Sequence, residues 1–149
     1  MSNVRPSRMT HLVFVFGTLK EGFPNFATNR GVRVPGAFTT KYRYPLYLVG
    51  ERYSPWLIDS PGYGEQVTGQ VFEVDQPTLD AMDKLERIIE PDGYRRVVLA
   101  VESADANSPQ SLSANAYLKQ AQHFVASEVR LGPLSKYTLA HAALYRPRV

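Results

Sequence analysis

Residues 66–102 read QVTGQVFEVDQPTLDAMDKLERIIEPDGYRRVVLAVE. Gln66–Val74 places Val67, Gly69 and Val71 at alternate positions, the period of a strand. Asp75 then stands where an N-cap belongs, and Pro77 falls in the first helical turn, where a missing N–H costs little. The spacing predicts a helix from Gln76 to Ile89 that stops before Pro91. Tyr94–Glu102 returns to a β-branched, strand-like run.

Outward from this core the chain is mostly extended. His11–Phe16 (HLVFVF) predicts a buried strand ending at Gly17, and GTLKEGFPN after it predicts a loop. Gly31–Gly50 holds two strand-like stretches, broken by Pro35-Gly36 and by Pro45. Glu51–Gly64 reads as a loop around the only tryptophan, Trp56. Leu112–Lys119 is a further strand after a loop of Ser, Ala, Asn and Pro, and the last 28 residues show no assignable pattern. Residues 1–10 are expected to be a frayed tail and 11–149 a single domain. Strands that surround one main helix, without alternating βαβ units, make the class α+β. The expected architecture is a small mixed β-barrel, closed or half closed, of five to seven strands with that helix packed on it.

Composition removes several functions. The chain has no cysteine, which excludes disulfides, thiolate metal sites and cysteine nucleophiles. His11, His123 and His141 are too far apart for ligand spacing, so no metal site is expected. The net charge of +3 is a property of the ends: without Arg5, Arg8, Arg146 and Arg148, 13 basic residues face 14 acidic ones. No basic helix or aromatic-interleaved basic run remains to bind nucleic acid. No apolar run approaches the ~20 residues that span a bilayer, and no leader-like apolar segment follows the first arginines. A cytoplasmic location without a membrane partner is expected.

Two features carry chemistry. At about 100° per residue from Leu79, Met82, Leu85 and Ile89 fall between about 240° and 300°, and Glu86 falls near 340°, inside the apolar stripe. Asp80, Lys84 and Arg87 lie opposite, at about 80–140°, and Asp83 sits on the border at about 40°. An inward carboxylate loses water and its pKa rises, the property of a general base near neutral pH. Two alternatives stand beside this: a Glu86 tied to Arg95 or Arg96, or a helix rotated to give Glu86 to solvent. The second feature is the turn Phe16–Lys20 (FGTLK), where consecutive N–H groups at a strand end form a nest for a carboxylate or an oxyanion. A plain turn is the alternative. GTLKEG lacks the spacing of a phosphate loop. Tyr94 and Tyr117, on predicted strands, are secondary pocket candidates, with core or surface roles as alternatives. Trp56 either roofs the pocket or anchors its loop, and His11 has no expected chemical role.

VFVFGTLKEGFPN, VTGQVFEVD, LDAMDKLE and GYRRVVLAV occur in an order and spacing that resemble the γ-glutamylcyclotransferase-like family, most closely its γ-glutamylamine cyclotransferase branch. The resemblance runs from about Leu12 to Glu102 and returns faintly at LYRPR near the end. It implies a compact mixed barrel, a base at Glu86, and a ligand loop at Phe16, Gly17, Thr18 and Leu19. It further implies a cofactor-independent release of 5-oxoproline and a free amine from a small γ-glutamyl substrate. Phe16 departs from the family's tyrosine and brings no hydroxyl, which leaves a non-catalytic ligand-binding module of the same fold as the competing reading. Oligomeric state and the leaving amine stay open.

Overall fold

The computed structural model describes residues 10–104 and 110–148. The expected tail, apart from Thr10, and most of the Ser/Ala/Asn/Pro loop lie outside the described residues. Five strands close a barrel: β1 (Thr10–Val15), β2 (Val32–Thr40), β5 (Thr68–Asp75), β6 (Arg95–Ser103) and β7 (Ser111–Leu118). They run in the order β1-β5-β2-β6-β7, antiparallel except where β7 meets β1 in parallel at Val13 and Asn115. Three shorter strands, β3 (Leu46–Val49), β4 (Ser54–Leu57) and β8 (Val129–Leu131), form a separate sheet ordered β4-β3-β8. One main helix, α1 (Gln76–Leu85), packs on the barrel, and a single turn, α2 (Leu139–Ala142), follows late in the chain. The α+β barrel expected from the pattern is the fold observed.

The apolar run of β1 has a direct cause. Side chains of a strand alternate between faces, and here both faces are covered. Phe14, with Phe38, Val71, Leu99 and Val101, fills the barrel. Val13 and Val15, with Phe72, Val74, Leu79 and Met82, pack outside it against the helix. Each set is buried, so β1 carries apolar residues at every position from Val13 onward.

Two breaks expected from proline are absorbed. Pro35-Gly36 interrupts pairing without ending β2: the register with β5 shifts between Val34 and Phe38, a bulge rather than a boundary. Within the expected loop 51–64, Ser54–Leu57 pairs with β3 as β4. Strand β4 lies at the edge of its sheet, where Pro55 deprives no neighbour of a donor.

The helix starts as expected and stops earlier. The Asp75 carboxylate caps the Thr78 N–H at 3.0 Å, with Pro77 in the first turn. The helix ends at Leu85, four residues short of the expected Ile89, with Glu86 as its C-cap, and Arg87 takes a left-handed φ of 56°. The Arg87 N–H donates to the Lys84 carbonyl at 3.1 Å and the Ile88 N–H to the Asp83 carbonyl at 3.2 Å. These two bonds are the helix-stop motif that usually recruits glycine at the left-handed position. Ile89, which extended the apolar pattern, is 90% exposed.

From this stop the chain turns directly into β6. The Tyr94 N–H donates to the Glu86 carbonyl at 3.1 Å, and Gly93 lies so close that a Cβ there would sit 1.8 Å from the Arg87 carbonyl oxygen. Gly93→Ala is therefore expected to cost about 2 kcal/mol or more. Denaturant melts of wild type and variant measure it; a change within about 0.5 kcal/mol would show that the turn relaxes freely.

Candidate active site

Glu86, at the end of α1, faces the turn that follows β1 across one cavity. The cavity encloses about 540 Å³ to its open mouth and is walled by Phe16, Gly17, Thr18, Leu19, Glu86, Tyr94 and Tyr117, the residues the sequence offered as base and as ligand contacts, whereas Lys20 and Trp56 do not line it. Its remaining wall includes Asn25, Arg52, Ser54, Pro55, Tyr145 and Arg148, none of which local pattern pointed to. They arrive from β4 and the turn before it, the loop after the Phe16–Lys20 turn, and the C-terminal segment, and tertiary pairing brings these segments together.

The turn is fixed by its carbonyls. Gly17 O accepts from Lys20 N at 3.1 Å, Thr18 O from Asn25 N at 2.8 Å, and Leu19 O from Asn29 Nδ2 at 3.1 Å. Asn25 Nδ2 also donates to Thr18 Oγ1 at 2.8 Å. With the carbonyls tied back, the N–H groups of Gly17, Thr18 and Leu19 meet no acceptor among the described residues. Such unengaged consecutive donors are what a nest offers an anion. Gly17 is needed for space: a Cβ would come within 3.0 Å of the Pro55 ring. Beneath the turn, the buried Lys20 ammonium donates to the Tyr137 carbonyl and lies 4.2 Å from the Phe23 ring centre. Burial pushes the Lys20 pKa down to about 8, helped by Lys136 and Arg33.

Glu86 is half-buried, and it makes no side-chain hydrogen bond or ion pair among the described residues. Loss of water pushes its pKa from 4.5 up to about 7, against the opposing pull of Arg148, Lys119 and Arg52. The arginine pairing considered as an alternative falls to its neighbour instead. Arg96 Nε donates to Asp83 Oδ1 at 3.0 Å, and the Tyr117 hydroxyl donates to the same oxygen at 2.6 Å. Arg95 is exposed.

The tyrosines are committed as donors. Tyr94 is buried and its hydroxyl donates to the Pro55 carbonyl at 3.0 Å; burial first, then Glu86, raises its pKa well above the ordinary value. Burial and the Asp83 hydrogen bond likewise raise that of Tyr117. Both line the cavity with the hydroxyl proton already donated within the protein. Phe16 is buried against Phe14, ring centres 6.4 Å apart. Trp56 does not roof this cavity; its half-buried ring carries the Lys119 ammonium 4.4 Å from its centre. His11 lies in β1 with Nε2 2.9 Å from Gln76 Oε1. Among the described residues no three of His, Asp and Glu converge to hold a metal ion, and no helix is long and apolar enough to cross a membrane.

This barrel has known counterparts. The family model for gamma-glutamyl cyclotransferase, AIG2-like proteins matches residues 13–138, and the chain belongs to that family. A human gamma-glutamylaminecyclotransferase is 41% identical over 103 residues, 66% of this chain and 66% of the relative. A putative gamma-glutamylcyclotransferase of Drosophila melanogaster is 42% identical over 95 residues, 60% of this chain and 59% of the relative. The matched segment thus spans slightly under two thirds of these relatives. A crystal structure of a mouse AIG2-like protein superposes with a TM-score of 0.76 at 29% identity, covering 93% of this chain and 97% of that one.

The pKa of Glu86 makes stability depend on pH. A carboxyl raised in the folded state holds its proton there between pH 4.5 and about 7 while the unfolded chain has lost it. Folding stability therefore falls as pH rises through that window, and the penalty is complete above it. Glu86→Gln is expected to raise stability by up to about 3 kcal/mol above pH 7 and to leave it unchanged below pH 4.5. Melts of the two proteins across pH 4–8 read this; equal or lower stability of the variant at pH 8 would contradict it.

Proposed function

We propose that the protein is a γ-glutamylamine cyclotransferase in which Glu86 relays protons and the Gly17–Leu19 turn binds the reacting group. The observation that carries this reading is the shared cavity: an unpaired carboxyl poised near pH 7 on one wall and three unfilled N–H donors on the other. The substrate is a γ-glutamyl compound curled so that its α-nitrogen reaches its own γ-carbonyl carbon. As the α-nitrogen forms a bond to that carbon, the carbonyl oxygen becomes an oxyanion; its collapse breaks the bond to the leaving nitrogen. Of the three ammonium protons, one stays on the lactam nitrogen and two leave with the amine as an ammonium. Glu86 accepts them in turn and hands them on, base first and acid second. Nothing else is consumed, so the reaction requires no cofactor.

Each residue has a physical contribution. A base whose pKa lies near the working pH contributes about 10²–10⁴-fold. The turn N–H groups hold the α-carboxylate or the oxyanion, and donors fixed beforehand need not reorganise as charge develops. Tyr94, Tyr117 and Phe16 shape the cavity and keep the chain curled, which brings amine and carbonyl together. Phe16 supports one second reading, a ligand-binding module without turnover, because the family's tyrosine hydroxyl is missing here.

Incubation with γ-glutamyl amines and detection of 5-oxoproline separates the two readings. Turnover is expected in the wild type, with an acid limb of kcat/KM near pH 7. Glu86→Gln is expected to lower kcat by about 10²–10⁴-fold while the fold and the binding of 5-oxoproline persist. Activity of that variant within a few-fold of wild type would remove Glu86 from the chemistry. Binding of γ-glutamyl ligands by the wild type without any product would favour the module.

A further inference from the structure

The turn that carries the Gly17–Leu19 amides continues into a buried cation. Lys20 is 3% exposed, and its ammonium donates to the Tyr137 carbonyl beneath the turn. Its Nζ lies 4.2 Å from the Phe23 ring centre and 6.0 Å from that of Tyr137. No carboxylate pairs with it among the described residues, and the nearest charges, Lys136 and Arg33, repel it. A methionine would fill the same space without giving up a hydration shell, so the charge is a cost to stability. What the charge achieves is set by what its bond joins.

The bonds that shape the turn come from its own loop: Lys20 N, Asn25 N and Asn29 Nδ2 engage the carbonyls of Gly17, Thr18 and Leu19. They fix the form of the turn and not its place on the barrel. The acceptor of the Lys20 ammonium belongs to a distant segment that is itself anchored. Leu134 N donates to the Leu46 carbonyl at 2.8 Å, Thr68 N donates to the Ser135 carbonyl at 2.9 Å, and the Tyr137 side chain is fully buried in the barrel core. Other bonds out of the loop are exposed or long. Glu21 meets Gln70 and Arg33 in solvent, and Asn25 Nδ2 reaches the Tyr145 hydroxyl at 3.4 Å. A buried, charge-assisted bond is the stronger tie.

We propose that the Lys20 ammonium is a positioning group for ligand binding: its bond to the Tyr137 carbonyl holds the Gly17–Leu19 amides toward the cavity, and loss of its proton loosens the turn and weakens its grip on a ligand carboxylate. The proposal rests on the reading above in which the turn binds the reacting group. Lys20 does not line the cavity and acts only through the turn. A neutral amine keeps a donor but loses the charge assistance. The groups facing the ammonium are Lys136, Arg33 with its partner Glu21, and the Tyr137 hydroxyl with the His141 ring stacked 5.9 Å from the Tyr137 ring. Burial and the two cations bring the Lys20 proton loss down to about pH 8, while burial raises that of Tyr137 out of the working range.

The test uses the Glu86→Gln protein, in which the cavity carboxyl no longer titrates, and 5-oxoproline, which has a carboxylate and no basic amine. Carbonyl carbon-13 signals of Gly17, Thr18, Leu19 and Tyr137 are expected to shift together with a midpoint near pH 8, and to stay still once Lys20→Arg is added. His141 is followed through its own ring signals. Calorimetric affinity for 5-oxoproline is expected to fall about tenfold across the same midpoint, and to stay flat with Lys20→Arg. In the otherwise wild-type enzyme, Lys20→Met is expected to raise KM about tenfold with kcat within about threefold, and Lys20→Arg to restore part of the loss. Turn signals that stay still through pH 8 overturn the proposal, as does a folded Lys20→Met protein with wild-type KM and affinity. The titration needs no change at Lys20, so it decides even where Lys20→Met does not fold. If neither turnover nor 5-oxoproline binding is found, the cyclotransferase reading fails; a shift of the turn signals near pH 8 still upholds the latch, and their constancy overturns it.

Discussion

A hydrogen bond of 3.1 Å from the Tyr94 N–H to the Glu86 carbonyl joins the end of the helix to the start of the next barrel strand. The helix stop at Arg87 makes that bond possible, and Gly93 lets the two backbones close on each other. Because Glu86 caps the helix, its main chain is pinned to the barrel while its side chain lines the cavity. One more turn of helix would have carried the chain past the point where Tyr94 enters β6. The strained left-handed Arg87 is a local cost of about 1 kcal/mol, offset by the burial of Met82, Leu79 and Tyr94 around the junction.

The electrostatics of the site are a balance rather than a pairing. Desolvation raises the Glu86 carboxyl, and Arg148, Lys119 and Arg52 hold the rise in check without bonding to it. An ion pair would have fixed the carboxylate in its charged form, as Arg96 and Tyr117 engage Asp83 three residues earlier. The same separation operates across the cavity, where the carbonyls of the turn are satisfied and its amides are not. A carboxyl whose burial holds it near its neutral form shares the cavity with amides that no acceptor of the fold engages.

Much of this was legible in the sequence, for physical reasons. Period-two burial on both faces made β1 visible as an unbroken apolar run, and the helical period separated Glu86 from Asp80 and Lys84. Asp75 and Pro77 marked the helix start because capping chemistry is local. Its end was misread because Arg87 gives no glycine signal at the left-handed position and Ile88-Ile89 prolong the apolar pattern. Strand β4 was hidden by Pro55, which an edge strand tolerates. Arg52, Tyr145 and Arg148 reach the cavity only through long-range pairing, such as the Arg146 N–H on the Arg52 carbonyl at 2.9 Å. No local pattern encodes such contacts. The LYRPR resemblance was the one trace of the C-terminal wall.

The central claim is that Glu86 is held near its neutral form by burial beside the Gly17–Leu19 turn. Carbon-13 NMR of the glutamate side-chain carboxyls, with Glu86 assigned by its loss in Glu86→Gln, reads its titration directly. The account predicts a midpoint near pH 7. A midpoint at the ordinary value of 4.5 would mean a solvated or paired carboxylate and would contradict it.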